Sequence, residues 1–133
     1  MNEFFEWDAA KYELDIPMVD QEHRLIIDAM NELHVLHSGK KSKAEIAAAL
    51  RNLKTVTVAH FKNEELYMEK IGYADLRKHR HVHQHLLDRL EKFWFDFQVK
   101  GELTDEFFLF LKMWLKSHIC GIDTQYAKQA HAA

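Results

Sequence analysis

An up-down-up-down bundle of four antiparallel helices, with an extended N-terminal arm, is the fold this sequence predicts. Three observations predict it. Apolar residues recur at steps of three and four over long stretches, the period of a helix buried along one face. The 133 residues include one proline, and three of the four glycines, Gly39, Gly72 and Gly101, sit where those apolar patterns stop, the usual place of a helix C-terminus. The connections this implies are short, which makes successive helices antiparallel neighbours.

Residues 1–18 carry Phe4, Phe5, Trp7 and Tyr12 without helical spacing and reach Pro17 near their end, so they are expected to form an extended arm packed on the bundle. The first helix is expected over 19–37, with His23 in line with Ile26, Ile27, Met30 and Leu33. Ser42 followed by Glu45 is a capping-box pattern that opens a second helix over 42–71. Its inward stripe runs Ile46, Leu50, Leu53, Thr57, His60, Glu64, Tyr67 and Ile71. Asp75 can cap a third helix over 76–99. Thr104, with Asp105 and Glu106 behind it, can open a fourth over 104–127, whose stripe holds Phe107, Leu111, Trp114 and His118. The bundle is thus expected over 19–127, with a tail over 128–133. The whole of 1–133 makes one domain, long enough to bury roughly two-thirds of its unfolded surface.

The third helix opens with HRHVHQH, His79 to His85, in which histidine alternates with other residues. Alternation suits a strand, but a helix divides the set. At about 100° per residue His79 and His83 lie roughly 40° apart, and His81 points nearly the opposite way. From His79 the steps of four and three continue through His83, Leu86, Leu90, Phe93 and Phe97, an apolar stripe. From His81 they continue through His85, Asp88 and Lys92, a charged one. His79 and His83 therefore face the core. His81 and His85 face solvent, and His34, His37 and His131 are expected there too.

Every helix then brings at least one histidine to its inner face, and two bring a pair of metal-ligand types one turn apart: His60 with Glu64, and His79 with His83. A lone histidine on an apolar stripe is more often a hydrogen-bonded core residue than a ligand. Four helices with polar groups at one level would otherwise hold an unpaired polar cluster, and metal ligation resolves it most simply. Asp123 follows His118 by five residues in HICGID. Ideal geometry sets them about 140° apart, so both can face one centre only where the helix widens. A π-type bulge accommodates that spacing, and Gly121 eases it.

Charge and composition exclude several classes. A net charge of −3 without a basic stripe argues against nucleic acid as a partner. The single Cys120 rules out an internal disulfide framework and suits a reducing compartment; its helical position turns it away from His118. The start, MNEFFEWD, lacks the basic and apolar regions of a signal peptide, and no apolar run approaches the roughly 18 residues of a membrane span. A cytoplasmic protein without membrane insertion is expected, and a monomer.

His23, His60 with Glu64, His79 with His83, and His118 with Asp123 resemble the seven-ligand pattern of the hemerythrin family, specifically the bacterial hemerythrins. The resemblance runs from FEWDAAKYELDIPMVDQEH to WLKSHICGIDTQYAKQ, nearly the whole chain. One departure is an alanine in the turn GYADL where the family commonly has proline. The resemblance implies two iron ions joined by an oxo or hydroxo bridge: His79, His83 and His118 on one, His23 and His60 on the other, Glu64 and Asp123 bridging both. Two six-coordinate metals offer about twelve positions; five imidazoles, two bridging carboxylates and a bridging oxygen fill all but one. That position, on the iron with two histidines, is where O₂ would bind.

The function implied is reversible O₂ binding for transport, storage or sensing, not catalysis. Ferritin-like oxidases use Glu-x-x-His pairs, and no glutamate here has a histidine three residues later. A dry pocket is required, and Phe61, Trp114, Leu115 and Ile119, each near a candidate ligand, are its expected walls. The rival readings are an oxygen, redox or nitric-oxide sensor module, and a di-iron peroxidase or nitric-oxide-processing enzyme on the same site. A sensor usually carries a signalling domain, and the sequence ends soon after its last expected helix, which favours a free-standing carrier. Four-coordinate zinc would leave most of the seven residues idle.

Overall fold

The computed structural model of the protein describes residues 5–6 and 12–132, apart from the side chains at positions 115, 119, 120, 121, 124 and 132. It contains four long helical runs: α1 (Pro17–Ser38), α2 (Lys43–Lys70), α3 (Leu76–Lys100) and α4 (Asp105–Ser117). The last continues through a π-helical segment, His118–Asp123, into α5 (Thr124–Ala132). All the described elements are helical, and the chain folds as the up-down-up-down bundle. None of the helices among the described residues is long and apolar enough to cross a membrane.

The helix ends follow local chemistry, with three departures from expectation. α1 starts earlier than expected because Pro17 occupies its first turn, where a missing N–H costs nothing and the fixed φ suits a helix. Its first-turn carboxylate, Asp20, reaches back to accept a hydrogen bond from the Leu14 N–H at 2.8 Å. Ser42 caps α2 as expected, accepting from the Glu45 N–H at 3.2 Å, and Thr104 Oγ1 accepts from the Phe107 N–H at 3.4 Å. Asp75 stands at the N-cap of α3 but makes no side-chain cap bond. Its φ of −94° and ψ of 21° are not the extended conformation from which a carboxylate reaches the first free N–H groups. After α1 it is Lys40, at φ 51°, that turns left-handed, while Gly39 keeps φ −80°.

The tail departs more. Residues 128–132, expected beyond the last helix, continue α5. No helix breaker follows Gly121, and the segment is tied at both sides: Gln129 Nε2 donates to the Ile71 carbonyl at 3.1 Å, and His131 Nε2 donates to the Leu14 carbonyl at 2.8 Å. His131 is thus exposed yet bonded. His34 and His37 are half-buried rather than solvent-facing, packed on Phe108 with ring centroids 5.1 and 4.9 Å away. His81 and His85 are exposed, as their stripe requires.

Of the expected arm, Phe4 and Trp7 lie outside the described residues, whereas Phe5 and Tyr12 are buried against the bundle. Asn31 holds the arm through both backbone groups of Phe5, accepting from its N–H at 2.6 Å and donating to its carbonyl at 2.7 Å.

The core has two apolar parts. The larger gathers Ile26, Ile27, Met30 and Leu33 of α1, Leu50, Leu53 and Phe61 of α2, Leu90 and Phe97 of α3, and Phe107, Leu111 and Trp114 of α4. The smaller gathers Leu14, Ile16, Val19, Met68, Tyr126 and Ala127. On every long run a polar group falls between the two: His23 between Val19 and Ile26, His60 and Glu64 before Met68, His79 and His83 before Leu90, His118 and Asp123 between Trp114 and Tyr126. One polar layer therefore crosses the bundle.

Gly101 ends α3 at φ 79°, with open space where a Cβ would stand. Replacing it with alanine meets no clash, so the cost is conformational alone, about 1 kcal/mol. Urea denaturation of Gly101→Ala is expected to show that loss with an unchanged slope.

Candidate metal centre

All seven predicted residues meet in this layer, each with 3% or less of its surface exposed. Helix periodicity delivers six of them: His23 from α1, His60 and Glu64 one turn apart on α2, His79 and His83 one turn apart on α3, and His118 directly after α4. Asp123 depends on the π segment. Its six residues, HICGID, close backbone hydrogen bonds over five residues where an α-helix uses four, and this brings Asp123 round to the side of His118. His118 Nε2 lies 3.0 Å from Asp123 Oδ1.

The contacts divide by carboxylate oxygen. Glu64 Oε1 lies 3.0 Å from His79 Nε2, 2.9 Å from His83 Nε2 and 3.7 Å from His118 Nε2, and Asp123 Oδ1 lies 3.0 Å from His79 Nε2. Glu64 Oε2 lies 3.2 Å from His60 Nε2 and 3.8 Å from His23 Nε2. Asp123 Oδ2 lies 3.2 Å from His23 Nε2. Two donor groups result, Glu64–His79–His83–His118–Asp123 and His23–His60–Glu64–Asp123, and the same two carboxylates serve both.

These atoms lie at hydrogen-bond distance without bonding one another in the ordinary way. His23 Nε2, His60 Nε2, Glu64 Oε1 and both Asp123 oxygens have no hydrogen-bond partner among the described residues. His118 Nε2 sits 3.3 Å from His79 Nε2 and 3.2 Å from His83 Nε2, an arrangement in which one proton cannot satisfy three ring nitrogens. The donors aim at common points, not at each other. Buried imidazole and carboxylate atoms so disposed fit a pair of metal ions, one in each group.

Electrostatics within the layer is strong. Burial alone would push His60 down, but the Glu64 carboxylate and the hydrogen bond to Glu22 outweigh it and raise its pKa to about 9. His118 is raised to about 10 against the same burial, by the charge of Asp123 and its close approach at 3.0 Å. Burial would raise Glu64, yet the charge of His60 and the nearby rings of His118 and His23 hold it well below the usual range. Asp123 is held low by His118 despite burial and the nearby charge of Glu64.

Residues 14–130 match the family model described as the hemerythrin HHE cation-binding domain. The chain belongs to the hemerythrin family. It is 34% identical to a bacteriohemerythrin of Stenotrophomonas maltophilia over 90% of this chain and 77% of that one. It is 33% identical to a bacteriohemerythrin of Methylococcus capsulatus over 90% and 92%. A crystal structure of wild-type hemerythrin superposes with a TM-score of 0.86 at 30% identity, over 93% of this chain and 95% of that one.

Around this hemerythrin layer stand residues that sequence periodicity missed. His60 Nδ1–H donates to Glu22 Oε1 at 2.9 Å, and Asn63 Nδ2 holds the other oxygen of Glu22 at 2.7 Å. His83 Nδ1–H donates to Glu65 Oε2 at 2.9 Å, with Arg80 Nε on Glu65 Oε1 at 3.1 Å. Each donor group thus has one imidazole whose outer nitrogen is fixed by a carboxylate, which turns Nε2 inward and makes it a better donor. Tyr126, fully buried, donates its hydroxyl to Glu64 Oε2 at 2.8 Å. Burial and the charges of Glu64 and Asp123 raise its pKa, so it remains a donor. Glu22 and Glu65 immediately adjoin two of the seven residues in sequence, and Tyr126 follows Asp123 by one turn; adjacency was the available signal.

Of the expected pocket walls, Phe61 stacks on His83 at 3.8 Å and 5°. Trp114 meets Phe61 edge-on at 5.9 Å and also borders a surface cleft between α3 and α4. Leu115 and Ile119, with Cys120, lie outside the described side chains.

In the metal-free protein the raised histidines stabilise the fold fully below their unfolded pKa of about 6.5, and that contribution is lost as pH rises through about 9 and 10. The lowered carboxylates stabilise above their unfolded pKa of about 4 and lose that contribution as pH falls below it. Its melting temperature is therefore expected to peak near pH 5–6 and to fall towards pH 10, with metal affinity rising over the same interval. Calorimetric titration with a divalent metal at pH 7 in two buffers should show release of at least the protons on His60 and His118.

Proposed function

We propose that this chain binds O₂ reversibly at a pair of iron ions. His79, His83 and His118 would hold one iron and His23 and His60 the other, with Glu64 and Asp123 bridging them. The observation that carries the reading is the division of each carboxylate between two donor groups of unequal size, five residues in one and four in the other. The smaller group is the one with room for an external ligand, and bacteriohemerythrins are the relatives the chain resembles. When bound, the irons supply two electrons that O₂ can take up and return.

The residues of the chain do the rest. Two anionic carboxylates would offset half the charge of two divalent ions in a buried site, and five neutral imidazoles would donate to them without adding charge. Glu22 and Glu65 orient His60 and His83, and Tyr126 fixes Glu64 from the side of the smaller apolar cluster. Phe61, buried in the larger cluster, excludes water from the face of His83; water and protons would otherwise favour irreversible oxidation. A binding protein rather than an enzyme, cytoplasmic and monomeric, is the form of this reading.

The iron-loaded, reduced protein is expected to develop visible absorption bands when air is admitted and to lose them on purging with argon. Bands that persist after purging, or multi-turnover consumption of peroxide, would move the assignment to a redox sensor or an enzyme. Ligand roles are separable by metal content. Asp123→Ala removes a donor from both groups and is expected to lower iron from about two per chain to nearly none. His23→Ala is expected to lower it to about one.

A further inference from the structure

Thr57 lies on the inward stripe of α2, between Leu53 and His60, with 1% of its surface exposed. Its hydroxyl has no hydrogen-bond partner among the described residues. A threonine inside a helix ordinarily satisfies its hydroxyl on the carbonyl three or four residues back. This one does not, and its neighbours along α2, Leu53 before it and Phe61 after it, belong to the larger apolar cluster with Ile26 and Ile27 of α1. A valine would fill the same shape without an unpaired polar atom.

Helix geometry sets its relation to the centre. Side chains lean towards the N-terminus of their helix, so His60 and Glu64 approach the smaller donor group from its C-terminal side on α2. Thr57 is one turn before His60, about 4.5 Å of helix rise, and within roughly 20° of Glu64 in azimuth. Thr57 therefore shares the face of α2 that carries His60 and Glu64, one turn further towards the N-terminus of the helix. Tyr126 already occupies the Glu64 side, with its hydroxyl on Glu64 Oε2. On the other side of the layer, towards Thr57, the buried residues gathered with Leu53 and Phe61 are apolar.

We infer that the Thr57 hydroxyl is the hydrogen-bond donor to the small external ligand taken by the His23–His60 group, a role that rests on the function proposed above. The class of ligand it selects is O₂ or a small anion, whose outer atom accepts a hydrogen bond when bound. Carbon monoxide, a poor acceptor, gains nothing from it. Among apolar neighbours a single buried hydroxyl distinguishes these classes, because it can donate only to a ligand that accepts.

Azide, a small linear anion, is the probe. The iron-loaded, oxidised protein would be titrated with it by visible absorption, alongside Thr57→Val, which keeps the shape, and Thr57→Ser, which keeps the hydroxyl. Thermal unfolding of the metal-free forms gives a readout independent of the ligand. Thr57→Val is expected to bind azide about five- to tenfold more weakly, and Thr57→Ser within about twofold of the parent. Metal-free Thr57→Val is expected to melt at or above the parent temperature. Azide affinity in Thr57→Val equal to the parent's would overturn the inference, whatever its melting temperature. Should valine prevent folding, Thr57→Ala serves the same comparison. A parent that loads iron but takes up neither azide nor O₂ would overturn the proposed function itself, and this inference with it.

Discussion

Two buried carboxylates govern this structure. Glu64 and Asp123 have no exposed surface, carry negative charge at low pKa, and each presents one oxygen to either donor group. An anion in an apolar core is tolerated only when cations or hydrogen bonds surround it. Five imidazoles converge on these two groups for that reason, and the helices that carry them must keep one level. The bundle's register, the width of its last helical run and the position of Tyr126 all follow from that requirement.

The layer divides the core, and the division has a physical cost and a use. Apolar packing above and below it supplies the driving force for folding, while the layer itself contributes unpaired donors and acceptors. A protein under selection for stability alone would replace them with leucine and valine. The larger cluster shields one side of the centre through Phe61, and the smaller one anchors the other side through Tyr126. The asymmetry between a hydrocarbon side and a hydrogen-bonded side distinguishes two donor groups that share both carboxylates.

Much of this was legible in the sequence. Steps of three and four placed His23, His60, Glu64, His79, His83 and His118 inward, because each shares a stripe with residues whose burial is not in question, such as Met30, Leu53, Leu90 and Leu111. Asp123 was legible only as a spacing, since five residues fit one face only if the helix widens. Glu22 and Glu65 had only their adjacency to His23 and Glu64 to signal them, because each is half-buried and off the stripe, and its place depends on a neighbouring helix's imidazole or arginine. The failure of Asp75 to cap α3 depends on two dihedral angles that no residue type dictates. The helical tail was missed because its stability comes from long-range ties to Leu14 and Ile71, which local pattern does not contain.

Because Asp123 contributes an oxygen to each donor group, neither group is complete until the run from His118 to α5 has docked. A chain still emerging during synthesis, with its first three helices formed, holds five of the seven residues and a full set for neither. A full donor set for either ion would therefore exist only once that last run has closed over the site. The final run works as a clasp: its π turn carries the catch, and the Tyr126 hydroxyl and His131 ring fasten it to the layer and to the chain's opening segment.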